Sequence, residues 1–307
     1  MNCHIVKTFI FILLFSNLVA NDFDNKVKGM FDAYLIKAEK GNANAQYNIG
    51  LMFYKGYGVK KDFTQSVYWY KKASENGNVQ AQNNLGYMYQ RGIGIESNRI
   101  LAKEYFLKAA NADYGMAQLN LGLMYEDSGN PKLMKDAFFW YKKAAQNNIV
   151  VAQNNLAKFY YFGSGVVKHD FNKALYWYEK ASKKGDAVSQ FNLALMYYSG
   201  EGTSRDGDKA IYWLTKSAKS NNKFAQSKLA DFYRKGEIVN QSYKESLKWY
   251  KRAALQKYNK AQYYVGFLYY YGYGVKKDKR KALYWMNKAA DAGYVYAYRF
   301  LKRNGYK

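Results

Sequence analysis

The stretch ANAQYNIGLMFYKGYGVKKDFTQSVYWYKKASENGN, Ala43 to Asn78, recurs with substitutions to the end of the chain. Its Ala-Gln pair marks copies anchored at Ala45, Ala81, Ala117, Ala152, Ser189, Ala225, Ala261 and Ala297, spaced 36, 36, 35, 37, 36, 36 and 36 residues apart. A fixed period of this size signals stacked supersecondary units rather than one globular core.

Inside the unit the apolar pattern is helical, twice. Ile49, Gly50 and Phe53 follow Ala45, and the same slots hold Leu85, Gly86 and Tyr89, then Val265, Gly266 and Tyr269. These spacings fit one helix face and not the alternation of a strand. The second half carries Ala102, Tyr105, Phe106 and Ala109, or Ala174, Trp177, Tyr178 and Ala181, an i, i+3, i+4, i+7 stripe. Each unit therefore reads as a helix pair.

All six tryptophans occupy one slot of the second helix: Trp69, Trp140, Trp177, Trp213, Trp249 and Trp285, with Tyr105 in the second copy. Such a slot is expected to fill the same interhelix gap each time, burying roughly 150 to 250 Å² per ring, in preference to stacking on a ligand. The small residues opposite (Gly50, Gly86, Gly122, Ala157, Ala194, Ala230, Gly266) imply a close backbone approach to that slot. Glycine pairs such as Gly56 and Gly58, or Gly92 and Gly94, follow the first helix. They suit a left-handed helix end and a tight turn rather than a phosphate-binding loop, which would follow a strand. Asp62, Asp170 and Asp278 stand at expected N-caps of the second helix, and Asn130-Pro131 suits the same start in the third copy.

The pattern AQxxLGxMYxxGxG followed by AxxWYxKAAxxG resembles the Sel1-like repeat family, relatives of the tetratricopeptide repeats. The resemblance covers Ala43 to Gly293 in seven copies. It implies an all-α fold, a right-handed α-solenoid superhelix of helix-turn-helix repeats, acting by protein-protein interaction. Two copies depart from the pattern: Ser128 and Asn130 replace glycines in the third, and Ile238 replaces the second glycine in the sixth, so reshaped turns are expected there.

The rest of the chain is read as entrance and exit to one elongated domain. Residues 1–20 carry Lys7, an apolar run from Thr8 to Phe15 and Ala20 before polar residues, the signature of a secretory signal peptide rather than a membrane span. The mature protein is accordingly expected in the periplasm or outside the cell, with no lipid anchor, since Cys3 precedes the apolar run. Residues 21–42 read as an N-terminal capping helix, residues 43–293 as the seven repeats, and residues 294–307 as a C-terminal capping helix.

Composition argues against several chemistries. The chain has one cysteine and two histidines, and the signal peptide takes Cys3 and His4, leaving His169 in a Lys-His-Asp turn, where a solvated role is expected. Disulfides, cysteine nucleophiles and clustered zinc sites are disfavoured, and neither cofactor nor metal is expected. Some cysteine-rich Sel1-like proteins are described as β-lactamases; this sequence lacks the cysteine pairs of that subgroup. Glu126, Asp127 and Glu201 stand singly in turns, with no second acid that the sequence forces nearby. No catalysis is therefore expected.

Net charge is +25, or +24 without Lys7, and the lysines concentrate at pairs such as Lys71-Lys72, Lys142-Lys143 and Lys183-Lys184 and from Lys276 to Lys281. These form either a solvated helix face or a surface attracting an anionic envelope polymer or membrane; nucleic acid fits the charge but not export. Three positions after each anchor stands Asn48, Asn84, Asn120, Asn155 and Asn192, then Lys228 and Tyr264. This slot lies roughly 130° from the apolar stripe, so it should face a groove or its rim. Two readings are open: the carboxamides grip a partner's peptide backbone, as the resemblance to tetratricopeptide arrays implies, or they tie neighbouring repeats together. Tyr47, Phe191, Tyr263 and Tyr264 adjoin the column, and further tyrosines including Tyr54 and Tyr161 end the first helices. The expected partner is a protein or peptide, met on the concave surface built by the first helices.

Overall fold

The computed structural model describes residues 26–163, 165 and 167–307; the expected signal peptide and the first residues of the expected N-terminal cap lie outside them. A helix over 26–39 (α1) precedes α2 (Ala43–Lys55), α3 (Phe63–Glu75), α4 (Val79–Arg91), α5 (Arg99–Asn111), α6 (Gly115–Glu126), α7 (Met134–Gln146) and α8 (Val150–Phe162). Then follow α9 (Phe171–Lys183), α10 (Ala187–Ser199), α11 (Gly207–Lys219), α12 (Lys223–Lys235), α13 (Tyr243–Leu255), α14 (Asn259–Tyr271), α15 (Lys279–Asp291) and α16 (Val295–Arg303). The described residues contain no strand.

Helix ends form where the sequence supplies caps. Asp62, Asp170, Asp206 and Asp278 each accept from the backbone N–H three residues on, at 2.9 Å, and open the second helices. The helix-start N–H holds the ionised form of Asp170, Asp206 and Asp278 and so lowers the pKa of these three acids. First helices end on a left-handed glycine: the Gly56 N–H donates to the Met52 carbonyl at 2.8 Å, with φ +76°. In the third copy Asn130 and Pro131 do not start the α-helix directly. They open a 3-10 turn, Pro131–Leu133, and α7 begins at Met134.

The second glycine of the turn has a separate cause. A Cβ on Gly94 would lie 2.5 Å from the backbone of Phe63, the first residue of α3, and one on Gly202 or Gly274 would meet Phe171 or Tyr243 equally closely. In the sixth copy Ile238 holds the left-handed conformation, φ +56°, with a full side chain. Its Cβ sits 3.5 Å from where Gly207, the first residue of α11, would carry its own. The small residue has moved to the other side of the contact.

The chain divides into two compact units, residues up to Ile149 and Val150–Lys307, each made of whole copies. Within each, first and second helices of a copy pack together, as α2 on α3 or α10 on α11, and each second helix packs on the next first helix, as α3 on α4 or α11 on α12. The tryptophans are only part of that core: Trp69, Trp140 and Trp249 are buried, while Trp177, Trp213 and Trp285 are half-buried. The residue opposite the small slot is the one after the tryptophan. A Cβ on Gly50, Gly86 or Gly122 would meet the rings of Tyr70, Phe106 or Tyr141 at 2.5–2.6 Å. Tyr70, Phe106, Tyr141, Tyr178 and Tyr250 are almost wholly buried. The sequence expectation is thus corrected by one residue, or 100° of helix: at that step the second side chain points straight at the facing backbone and the first only flanks it.

Candidate functional site

The face of the first helices begins with the glutamine of the Ala-Gln marker, which the sequence reading used only as a signpost. Gln46, Gln118 and Gln226 are buried and donate to the carbonyls of Ala38, Ala110 and Ala218, eight residues back, at 3.0, 3.3 and 3.0 Å. Those carbonyls belong to the last turn of the preceding helix, where each also accepts from a backbone N–H of the turn, that of Gly41, Asp113 or Asn221. The glutamine oxygens accept in turn from Asn76, Asn147 and Gln256 at 2.9, 3.0 and 2.8 Å. One side chain thereby joins two helix ends, and the signal in the sequence was its recurrence after seven of the eight anchors, from Gln46 to Gln262.

Two residues further along, the asparagine column divides. Asn84 is half-buried and hydrogen-bonds the hydroxyl of Tyr70 in the preceding copy, and Asn192 does the same to Tyr178. Burial pushes both phenols well above the ordinary value, with the amide contact opposing that shift. Asn120 donates to Asn83 of the copy before it at 2.8 Å. Asn155 is only 9% exposed, so its amide is not offered to solvent as those of Asn48, Asn84 and Asn192 are in part. At the end of the column Tyr264 stacks on Tyr250, centroids 5.0 Å apart, and Lys228 lies 4.7 Å over the rings of Tyr198 and Phe232. Loss of water around Lys228 pulls its pKa down.

The same face carries open space. Tyr47, Tyr54, Asn84 and Tyr87 line a cavity of about 280 Å³, and Asn48 lines another of about 470 Å³ with Met30, Tyr34 and Tyr57. In the second unit Tyr161, Phe162, Phe191, Asn192 and Phe224 line one of about 420 Å³. Tyr263 is held between Tyr264 and Tyr294, at 5.1 and 5.4 Å, and does not enter these cavities. Of the candidate acids, Glu126 and Glu201 accept from the hydroxyls of Tyr141 and Tyr161. His169 is exposed, its ring centroid 4.0 Å from that of Phe171. No group of three or more potential metal ligands occurs among the described residues.

Tandem helix pairs, joined at their ends by a repeated glutamine, define an α-helical repeat protein. The chain belongs to the Sel1 repeat family: the family model matches residues 43–78, 79–114, 115–149, 150–186, 187–222, 223–258 and 259–294. Among solved structures it is similar to a protective antigen of uropathogenic Escherichia coli strains displaying an SLR fold, at 34% identity and TM-score 0.79 over 87% of this chain and 57% of that one. This chain therefore spans little more than half of that relative. It is also similar to a Sel1 repeat protein from Oxalobacter formigenes, at 28% identity and TM-score 0.72, covering 91% of this chain and 81% of the other. No curated protein matches it. None of the described helices is long and apolar enough to cross a membrane.

Proposed function

We propose that the protein is an exported, non-catalytic scaffold that holds another protein along the face of its first helices. The observation that carries this reading is the pairing of asparagine-lined cavities with rings that packing leaves out: Tyr87, Phe162 and Phe224 are 40%, 73% and 49% exposed at the cavity walls. Apolar surface rimmed by amides suits a peptide whose backbone needs partners and whose side chains need cover. The similar E. coli protein is a protective antigen, which favours export for this chain as well. Asn84 and Asn192 are compatible with both readings raised by the sequence, since each contacts a tyrosine of the preceding copy and also lines a cavity.

The test is capture of partners from the organism's own envelope by the chain lacking residues 1–20, followed by measurement of affinity for the protein identified. Replacing Tyr87 and Phe162 with Ser and Asn48 with Ala is expected to weaken that affinity at least about tenfold, or about 1.4 kcal/mol. The thermal midpoint should change little. An unchanged affinity would remove the first-helix face from consideration.

A second reading, a basic adaptor for an anionic envelope polymer, is favoured by lysines that have no carboxylate partner among the described residues, such as Lys180, Lys216 and Lys288.

A further inference from the structure

Each second helix carries, just before its tryptophan slot, a residue that packing does not need. Tyr68, Phe139, Tyr176, Tyr212 and Tyr284 fill it in five copies and are 47%, 48%, 51%, 51% and 54% exposed. The slot lies two residues, about 200° of helix, from the buried ring that meets the small residue. Each exposed ring stands nearly at right angles to its neighbouring indole, with interplanar angles of 82°, 79°, 79°, 79° and 80°.

A lysine occupies every one of these corners. In the second unit Lys180 lies 4.7 and 5.0 Å from the ring centroids of Tyr176 and Trp177, Lys216 4.6 and 5.2 Å from Tyr212 and Trp213, and Lys288 4.5 and 5.5 Å from Tyr284 and Trp285. In the first unit Lys72 and Lys143 repeat the arrangement at 4.7 and 5.3 Å and at 5.0 and 5.4 Å. The rings fix each ammonium in place without neutralising it. The second copy shows the contrast: Glu104 replaces the exposed ring, and its lysine, Lys108, is paired with it at 2.8 Å.

We infer that within each unit these corners form a row of stations for a linear acidic polysaccharide, each taking one carboxylate on the ammonium and the apolar face of a sugar against the exposed ring. This deepens the second functional reading and is independent of the first. Charge complementarity supplies the occupant's sign. Periodicity supplies its form, because stations at one slot of the repeat, present in five of the seven copies and interrupted by Glu104 in the second and Lys248 in the sixth, suit a chain of repeating units. A membrane is a poorer fit, since apart from the rings themselves the exposed residues beside them are Asn172 and Lys173, Asp208 and Lys209, and Arg280 and Lys281, with no aliphatic side chain to insert. Single-stranded nucleic acid is the other linear polyanion that could use such rings, and it forms one arm of the test.

The experiment titrates the chain lacking residues 1–20 with polygalacturonate, neutral dextran, phosphatidylglycerol vesicles and poly(U), at fixed salt, following affinity and tryptophan emission. Polygalacturonate should bind and shift the indole emission, and dextran should do neither. Replacing Tyr176, Tyr212 and Tyr284 with Ala, or Lys180, Lys216 and Lys288 with Gln, should each weaken polygalacturonate at least about tenfold. If only the lysine variant loses affinity and the emission of the unaltered chain never moves, the inference falls while a diffuse basic adaptor stands. If vesicles or poly(U) bind more tightly than polygalacturonate, the polysaccharide is overturned in favour of that class. If no polyanion binds, both the inference and the adaptor reading fail.

Discussion

At the scale of single residues, the contact between Ile238 and Gly207 shows how the turn is built. In the second, fifth and seventh copies a glycine in the turn lets the backbone approach a bulky first helical residue, as Gly94 does with Phe63. In the sixth copy the two sizes are exchanged, and Ile238 accepts a left-handed backbone that β-branched residues rarely adopt. Gly207→Phe should clash with Ile238 and destabilise the protein by about 1–3 kcal/mol. The double change Gly207→Phe with Ile238→Gly restores the arrangement of the second, fifth and seventh copies and should recover most of the loss. Urea denaturation of the four proteins in the cycle measures that coupling, and additive effects would show that the two residues do not answer each other.

At the scale of elements, what joins one helix pair to the next is a hydrogen-bonded glutamine. Gln226 donates to the Ala218 carbonyl at 3.0 Å and accepts from Gln256 at 2.8 Å, linking α11, α12 and the end of α13. Gln226→Leu keeps the volume but removes both hydrogen bonds of a buried amide, leaving the Ala218 carbonyl its bond from the Asn221 N–H and the Gln256 amide its bond to Asn221. It is expected to cost about 1–3 kcal/mol in urea denaturation, more than the same change at exposed Gln65. The helix pairs themselves were legible from the sequence because periodicity, glycine ends and acidic caps all report local backbone geometry. The role of the glutamine was not, because its partners lie eight residues back and about thirty ahead, and no local pattern brings them together. The exact slot facing the small residues was missed for a related reason. Trp69 and Tyr70 are adjacent and both aromatic, and only the packed helices decide which of them points at Gly50.

At the scale of the whole molecule, buried phenols recur from copy to copy, so alkaline pH acts on many sites at once. Burial raises the pKa of Tyr70, Tyr178 and Tyr250, and pushes Tyr197 and Tyr294 up to about 12 from 10.0. A folded-state pKa above the unfolded one means that the stabilisation is fully present below pH 10.0 and is lost as pH rises through about 12 for Tyr197 and Tyr294. Urea midpoints should therefore fall steeply across that window, together with a delayed tyrosinate absorbance. A phenol titration complete near the ordinary value, with the fold intact, would contradict the burial described.

The sequence by itself determined the repeat, the two helices in each copy and where most of them begin and end, since these follow from residues in contact along the chain. It also marked the asparagine column and the excess of lysine, which are properties of composition and phase. Only the tertiary structure decided what those residues touch: that Asn84 and Asn192 bind buried tyrosines of the preceding copy, that Asn155 is buried, and that unpaired lysines sit in aromatic corners. A period fixes the direction in which a side chain leaves its helix, but the neighbour it meets belongs to another helix, and that is settled by packing.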